Sequence, residues 1–92
     1  MAHDIKSSQQ LARANLSANI KALRAQRKLS QEALAHEAKL HRTYVSQVER
    51  MIVNVSLDNL VLLADALGVP LRDLFSDPSD PIPPKPRPSR KG

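Results

Sequence analysis

Apolar positions along the chain fall into short stripes of helical spacing, separated by polar joints. Leu16, Ile20 and Leu23 recur at i, i+4 and i+7 in a first helix running from Ser7 or Ser8, read as its N-cap, to about Arg27. Leu11 and Ala12 either extend this helix or belong to an arm before it. Leu34, Ala35 and Ala38 mark a second helix, capped by Ser30 and carrying Glu32 in its first turn, where a carboxylate complements the dipole. Val45 and Val48 mark a third, with His41 at its N-cap. Leu57, Leu60, Leu63, Ala64 and Leu67 mark a fourth, which begins after Ser56 and stops at Gly68. Pro70 then opens a short fifth helix, Leu71 to Phe75. The pattern predicts an all-α, five-helix domain over 11–76. Residues 1–10 form an arm or the start of the first helix, and 77–92 form a tail.

The joint between the second and third helices, Lys39 and Leu40, is too short for antiparallel packing. The two helices should therefore cross steeply, and the outer face of the third should point away from the body. That face reads Arg42, Thr43, Ser46, Gln47 and Arg50. It is rich in hydrogen-bonding groups and has no acid, because Glu49 falls on another face.

Charge sharpens this picture. The net charge is +5, but residues 21–50 hold seven Lys or Arg against three acids, whereas residues 51–80 hold one base against five acids. The basic half is the one containing the polar helix face, as steering of a polyanion requires. With 92 residues and 41% apolar content, the chain supports one small domain, and burying only about 60% of its unfolded surface leaves room for help from a partner. Cysteine is absent, so neither a disulfide nor a thiolate metal site can form, and a reducing cytoplasm is the expected compartment. The apolar run from Leu60 to Leu67 is broken by Asp65 and is far below the roughly 18–20 residues of a membrane span. MAHDIKSSQQ lacks the apolar centre of a leader. Tyr44 and Phe75 are the only aromatic residues, which argues against sheets and against base stacking on single strands.

Catalytic and metal chemistry find little support. His36 and His41 are five apart and lack a carboxylate cluster of ligand spacing, so no metal or other cofactor is expected. There is no nucleophile elbow and no glycine-rich phosphate loop, so an enzyme is not expected either. The tail, DPSDPIPPKPRPSRKG, has six prolines and no apolar periodicity, and reads as disordered and partly polyproline II. PPKPRP could serve as a proline-rich ligand, and the bases of the tail could add non-specific affinity for DNA, but an inert terminus is the simpler reading.

The order of these segments resembles the phage repressor and Cro (XRE-like) type of helix-turn-helix domain, common among bacterial regulators, over roughly residues 16–75. The resemblance is carried by Ile20, Leu23 and Arg24, by SQEALA at 30–35, by LHRTYVSQVER at 40–50 and by SLDNLVLLADALGVPLRDLF at 56–75. HRTYVSQVER is also similar to the recognition region of restriction-modification controller proteins, small dimers of this fold. Two departures stand out. Lys39 occupies a turn position where the family often has Gly for a left-handed backbone, at a cost on the order of 1 kcal/mol. Met51, Ile52, Val53 and Val55 stand where a Gly, a basic pair and a later Pro are common.

The resemblance implies a lambda-repressor-like fold and a transcriptional regulator, most often a repressor, that binds double-stranded operator DNA as a homodimer. It implies base reading by Arg42, Thr43 and Gln47, with Ser46 in support. The chemistry suits these roles, since Arg can bond bidentately to guanine, Gln to adenine, and the Thr methyl can touch that of thymine. Gln31, Tyr44, Arg50, Asn54 and Ser56 match positions that bind phosphates, and Arg24 and Glu49 match a structural ion pair bridging the first and third helices. Leu71, Leu74, Ile52 and Val53 are more apolar than a small surface usually leaves exposed, and so are the expected dimer seam. The competing class is a protein-interaction module, such as an antitoxin or an accessory subunit of a toxin-antitoxin or restriction-modification system, in which Ile52 and Val53 dock a protein partner.

Overall fold

In the computed structural model, residues 5–79 are described, and they form α1 (Ile5–Arg27), α2 (Gln31–Ala38), α3 (Arg42–Glu49) and α4 (Leu57–Leu67), followed by a 3-10 turn at Leu71–Phe75. There is no strand among the described residues. The stripes read from the sequence become one core. Leu16, Ile20 and Leu23 of α1 meet Leu34, Ala35 and Ala38 of α2, Val45 and Val48 of α3, and Leu60, Leu63, Ala64 and Leu67 of α4. Leu57, expected on that stripe, is instead 64% exposed. It occupies the first position of α4, at the edge of the buried arc.

α1 begins at Ile5, ahead of the expected cap at Ser7 or Ser8. Once a helix is nucleated, extension by residues such as Lys, Gln and Ala costs little per residue. Ser7, Ser8, Leu11 and Ala12 therefore all lie within α1. Two further side chains tie this long helix to the rest of the fold. Asn19 Nδ2 donates to the carbonyls of Leu74 (3.0 Å) and Ser76 (2.8 Å), and Arg27 Nη1 donates to the carbonyl of Ala66 near the end of α4 (3.0 Å).

Each α-helix ends in the same way. The residues Lys28, Lys39, Met51 and Gly68 take positive φ values of 58°, 62°, 65° and 75°. The residue that follows each donates its amide to a carbonyl five positions back, as in Leu40 to Ala35 (2.9 Å) and Ile52 to Gln47 (3.1 Å). This double capping satisfies carbonyls that the helix end leaves unpaired. Three of the four left-handed residues carry a Cβ and bear its steric cost. At the helix starts, Ser30 Oγ accepts from the amide of Ala33 (2.9 Å) and Ser56 Oγ from that of Asn59 (3.1 Å), while His41 makes no side-chain cap bond.

The expected fifth helix is a 3-10 turn. Its five residues follow Pro70, whose carbonyl accepts from the amide of Asp73 (2.9 Å), and the segment is too short to build an α-ladder. Leu74 points inward and is fully buried in the core, so it has no surface to give to a dimer seam. That part of the expected seam is corrected. An apolar residue in a short terminal turn can serve as the plug of its own domain rather than as a patch. After the turn, Asp77 accepts from the amide and hydroxyl of Ser79, and these two bonds hold its carboxyl below the usual carboxylate range. The proline-rich tail expected over 77–92 lies, from residue 80 onward, outside the described residues.

Candidate nucleic-acid interface

α3 presents the polar face foreseen for it, because Val45 and Val48 turn its other side into the core. Arg42 and Thr43 are exposed in its first turn, Ser46 and Gln47 are half-buried one turn later, and Arg50 is exposed at its end. No acid interrupts this face. The carboxylate of Glu49 is directed inward and the residue is only 4% exposed.

Glu49 is the fastening point of the site. Its carboxylate accepts two bonds from Arg24, Nε at 2.7 Å and Nη2 at 3.0 Å, and one from Gln31 Nε2 at 3.0 Å. Its backbone carbonyl accepts from Ser17 Oγ at 2.6 Å. Arg24 in turn donates through Nη1 to the carbonyl of Leu29 (2.9 Å), fixing the connection between α1 and α2. One buried residue thus joins α1, α2 and α3. The fork geometry and the third donor offset the desolvation of the buried charge, and the arrangement sets the angle at which α3 leaves the body. Among the described residues no buried side-chain nitrogen or oxygen lacks a partner.

Residues expected to bind phosphates are placed unevenly. The amide of Gln31 is turned toward Glu49, which brings the start of α2, with its unpaired backbone N–H groups, beside the end of α3. Arg50 and Asn54 are exposed in and just before the loop that follows α3. Asn54 Oδ1 accepts from Arg13 Nη2. Tyr44 is half-buried and packs against the core, and the hydroxyl of Ser56 is engaged as the cap of α4. Ile52 is exposed, while Val53 and Leu71 are partly buried against the core. Three residues missed by sequence reading, Arg13, Ser17 and Asn19, tether α1 to the loop, to α3 and to the terminal turn. Ser17 and Asn19 carried a readable signal. Both are weak helix formers in the interior of a helix, where such residues tend to be kept for a tertiary bond.

The helix-turn-helix family model matches residues 20–74, which takes in the core, the turn and the polar face. This chain belongs to that family. It is 55% identical over 47 residues to the control protein C.BamHI of Bacillus amyloliquefaciens, a match covering 51% of this chain and 58% of the relative. It is 43% identical over 68 residues to a hypothetical transcription factor of Neisseria meningitidis, covering 74% of this chain and 64% of that one. The chain therefore spans less than two thirds of the length of these two relatives. The crystal structure of the restriction-modification controller protein C.AhdI from Aeromonas hydrophila superposes with a TM-score of 0.67 at 43% identity, covering 68% of this chain and 96% of that one. The helix-turn-helix reading of residues 30–50 is thus established. No group of three or more His, Cys, Asp or Glu capable of holding a metal occurs among the described residues, and none of their helices is long and apolar enough to cross a membrane.

Proposed function

We propose that this chain is a sequence-specific, double-stranded DNA-binding regulator of transcription, acting as a repressor and as a homodimer on a two-fold operator. The observation that carries this is the acid-free polar face of α3, held at a fixed angle by the bonds of Arg24 and Gln31 to Glu49. In this reading Arg42, Thr43 and Gln47 read base edges with Ser46 in support, while Arg50, Asn54 and the start of α2 grip phosphates on either side. Gln31 and Ser56 then serve chiefly through the backbone they position, and Tyr44 through packing with its hydroxyl at the rim. The family match and the likeness to two control proteins support a regulatory role. The site of action is then the cytoplasm, on the chromosome.

The homodimer follows from the size of the reader. A helix of eight residues spans too few base pairs to single out one site in a genome, and two copies double the reading. With Leu74 withdrawn into the core, the seam falls to residues that the fold leaves outside: Leu57, Val61 and Leu62 of α4 and Phe75 of the terminal turn, with Ile52 flanking them, while Leu71, partly buried against the core, offers less. The competing reading, a protein-docking module, would use Ile52 and Val53, but Val53 is partly buried against the core and offers little.

Selection of duplexes from a random library, followed by footprinting, tests the proposal. The expected result is a protected site with two related half-sites whose centres lie about 10 to 10.5 base pairs apart, or a multiple of that. Failure to enrich any sequence would overturn it.

A further inference from the structure

We infer that Arg13 and Asn54 form a phosphate-binding pair, in which Arg13 stands on the part of α1 ahead of the segment matched by the family and Asn54 in the loop within it. The inference rests on the DNA-binding reading and adds to it a contact on α1, outside the helix-turn-helix itself. One stripe of α1 carries Arg13, Ser17, Ile20 and Arg24 at i, i+4, i+7 and i+11. Arg24 binds the carboxylate of Glu49, Ser17 binds its carbonyl, and Arg13 reaches Asn54 in the loop beyond. The stripe therefore follows the chain out of α3, and Arg13 stands where α3 gives way to the loop. The left-handed Met51 turns that loop sharply, with Ile52 bonded back to Gln47, before Asn54 meets α1.

The polarity of the pair gives it its ligand. Asn54 is exposed and has one side-chain acceptor atom, Oδ1, which takes a bond from Arg13, while its two Nδ2 donors make no bond among the described residues. The guanidinium uses one of its five N–H groups on Asn54 and makes no ion pair among the described residues. What the pair shows to solvent is donors and one positive charge. A planar fork of this kind fits the two free oxygens of a phosphodiester better than any neutral group. The occupant is the DNA strand flanking the groove that α3 enters.

Two variants separate this role from that of a mere tether. Arg13→Gln removes the charge and keeps an N–H donor for Asn54, whereas Asn54→Asp keeps the tie as an ion pair and cancels the charge. Affinity is measured between 50 and 200 mM salt on a duplex selected by the wild-type protein and on a random duplex of equal length. Arg13→Gln should lower the slope of log affinity against log salt by about 0.9 per protomer, so that the ratio of wild-type to variant affinity changes about tenfold across that range for a dimer. The loss should be similar on both duplexes. Asn54→Asp should also weaken binding, with no loss of thermal stability. An unchanged salt slope in Arg13→Gln, or a loss confined to the selected duplex, would overturn the inference while leaving the DNA-binding reading intact. A wild-type protein that selects no duplex would overturn both.

Discussion

Arg24 and Glu49 meet in a two-bond fork, and the carboxylate oxygen that receives Arg24 Nη2 at 3.0 Å also receives Gln31 Nε2 at 3.0 Å. Three helices converge on one carboxylate, so removing it does more than delete a bond. It leaves Arg24, whose side chain is largely covered, without its counter-charge. Glu49→Ala should destabilise the domain by about 2 to 4 kcal/mol, and Arg24→Ala by a similar amount, allowing for partial solvent access at the guanidinium. Replacing both by Met and Leu should cost less than either single change, because no charge is then stranded. Urea denaturation of the three variants checks this, and additive losses would show that the pair is uncoupled.

The helix ends make a second prediction with a sign that differs by position. Lys39 and Met51 hold left-handed backbone with a Cβ, whereas Gly68 holds it without one. Lys39→Gly and Met51→Gly should each raise stability by about 0.5 to 1 kcal/mol, since relief of the steric cost exceeds glycine's extra chain entropy. Gly68→Ala should lower it by about 1 kcal/mol. Midpoints in urea at constant m report all three.

How much of this was legible follows from which interactions are local. The stripes Leu16, Ile20, Leu23 and Leu60, Leu63, Leu67 are periodic in sequence, so their burial could be read directly. The cap at Ser30 is a bond across three residues and was equally plain, whereas Ser56, read as a phosphate contact, proves to be the corresponding cap of α4. The left-handed turn at Lys39 was expected only through family resemblance, the same resemblance put a common Gly where Met51 stands, and Lys28 gave no comparable cue. Leu74 misled as well. Its apolar character was visible, but whether a short terminal turn folds inward depends on Asn19, fifty-five residues earlier, holding its carbonyl. Arg13 was invisible because its partner, Asn54, lies forty-one residues away on a loop without periodicity.

The same contrast between Leu74 and the exposed residues of α4 makes the dimer testable. Leu57→Glu and Val61→Glu alter side chains that the fold leaves outside, so the monomer should keep its thermal stability within about 0.5 kcal/mol while its self-association weakens. Leu74→Ala should instead cost about 2 to 5 kcal/mol, as a cavity in a closed core does. Sedimentation and thermal melting, read together, distinguish a seam from a plug. Wild-type protein that stays monomeric at every concentration, with and without DNA, would remove the seam altogether.

Arg42 gives the sharpest test of base reading. It is exposed in the first turn of α3, the end of a recognition helix that enters the groove, and it has no competing acid on its own face. A guanidinium bonded to guanine O6 and N7 loses both bonds on truncation, so Arg42→Ala should cost about 1 to 3 kcal/mol on the selected site. It should also relax discrimination at one position in each half-site, because the lost bonds were the ones that told guanine from the other bases. A phosphate contact behaves otherwise: its loss weakens selected and scrambled duplexes alike and flattens the salt dependence by about 0.9 per contact. Competition between the selected duplex and single-base variants of it measures the two outcomes at once. Equal losses on every duplex would take Arg42 out of the reading set and leave Thr43 and Gln47 to carry the specificity of the helix.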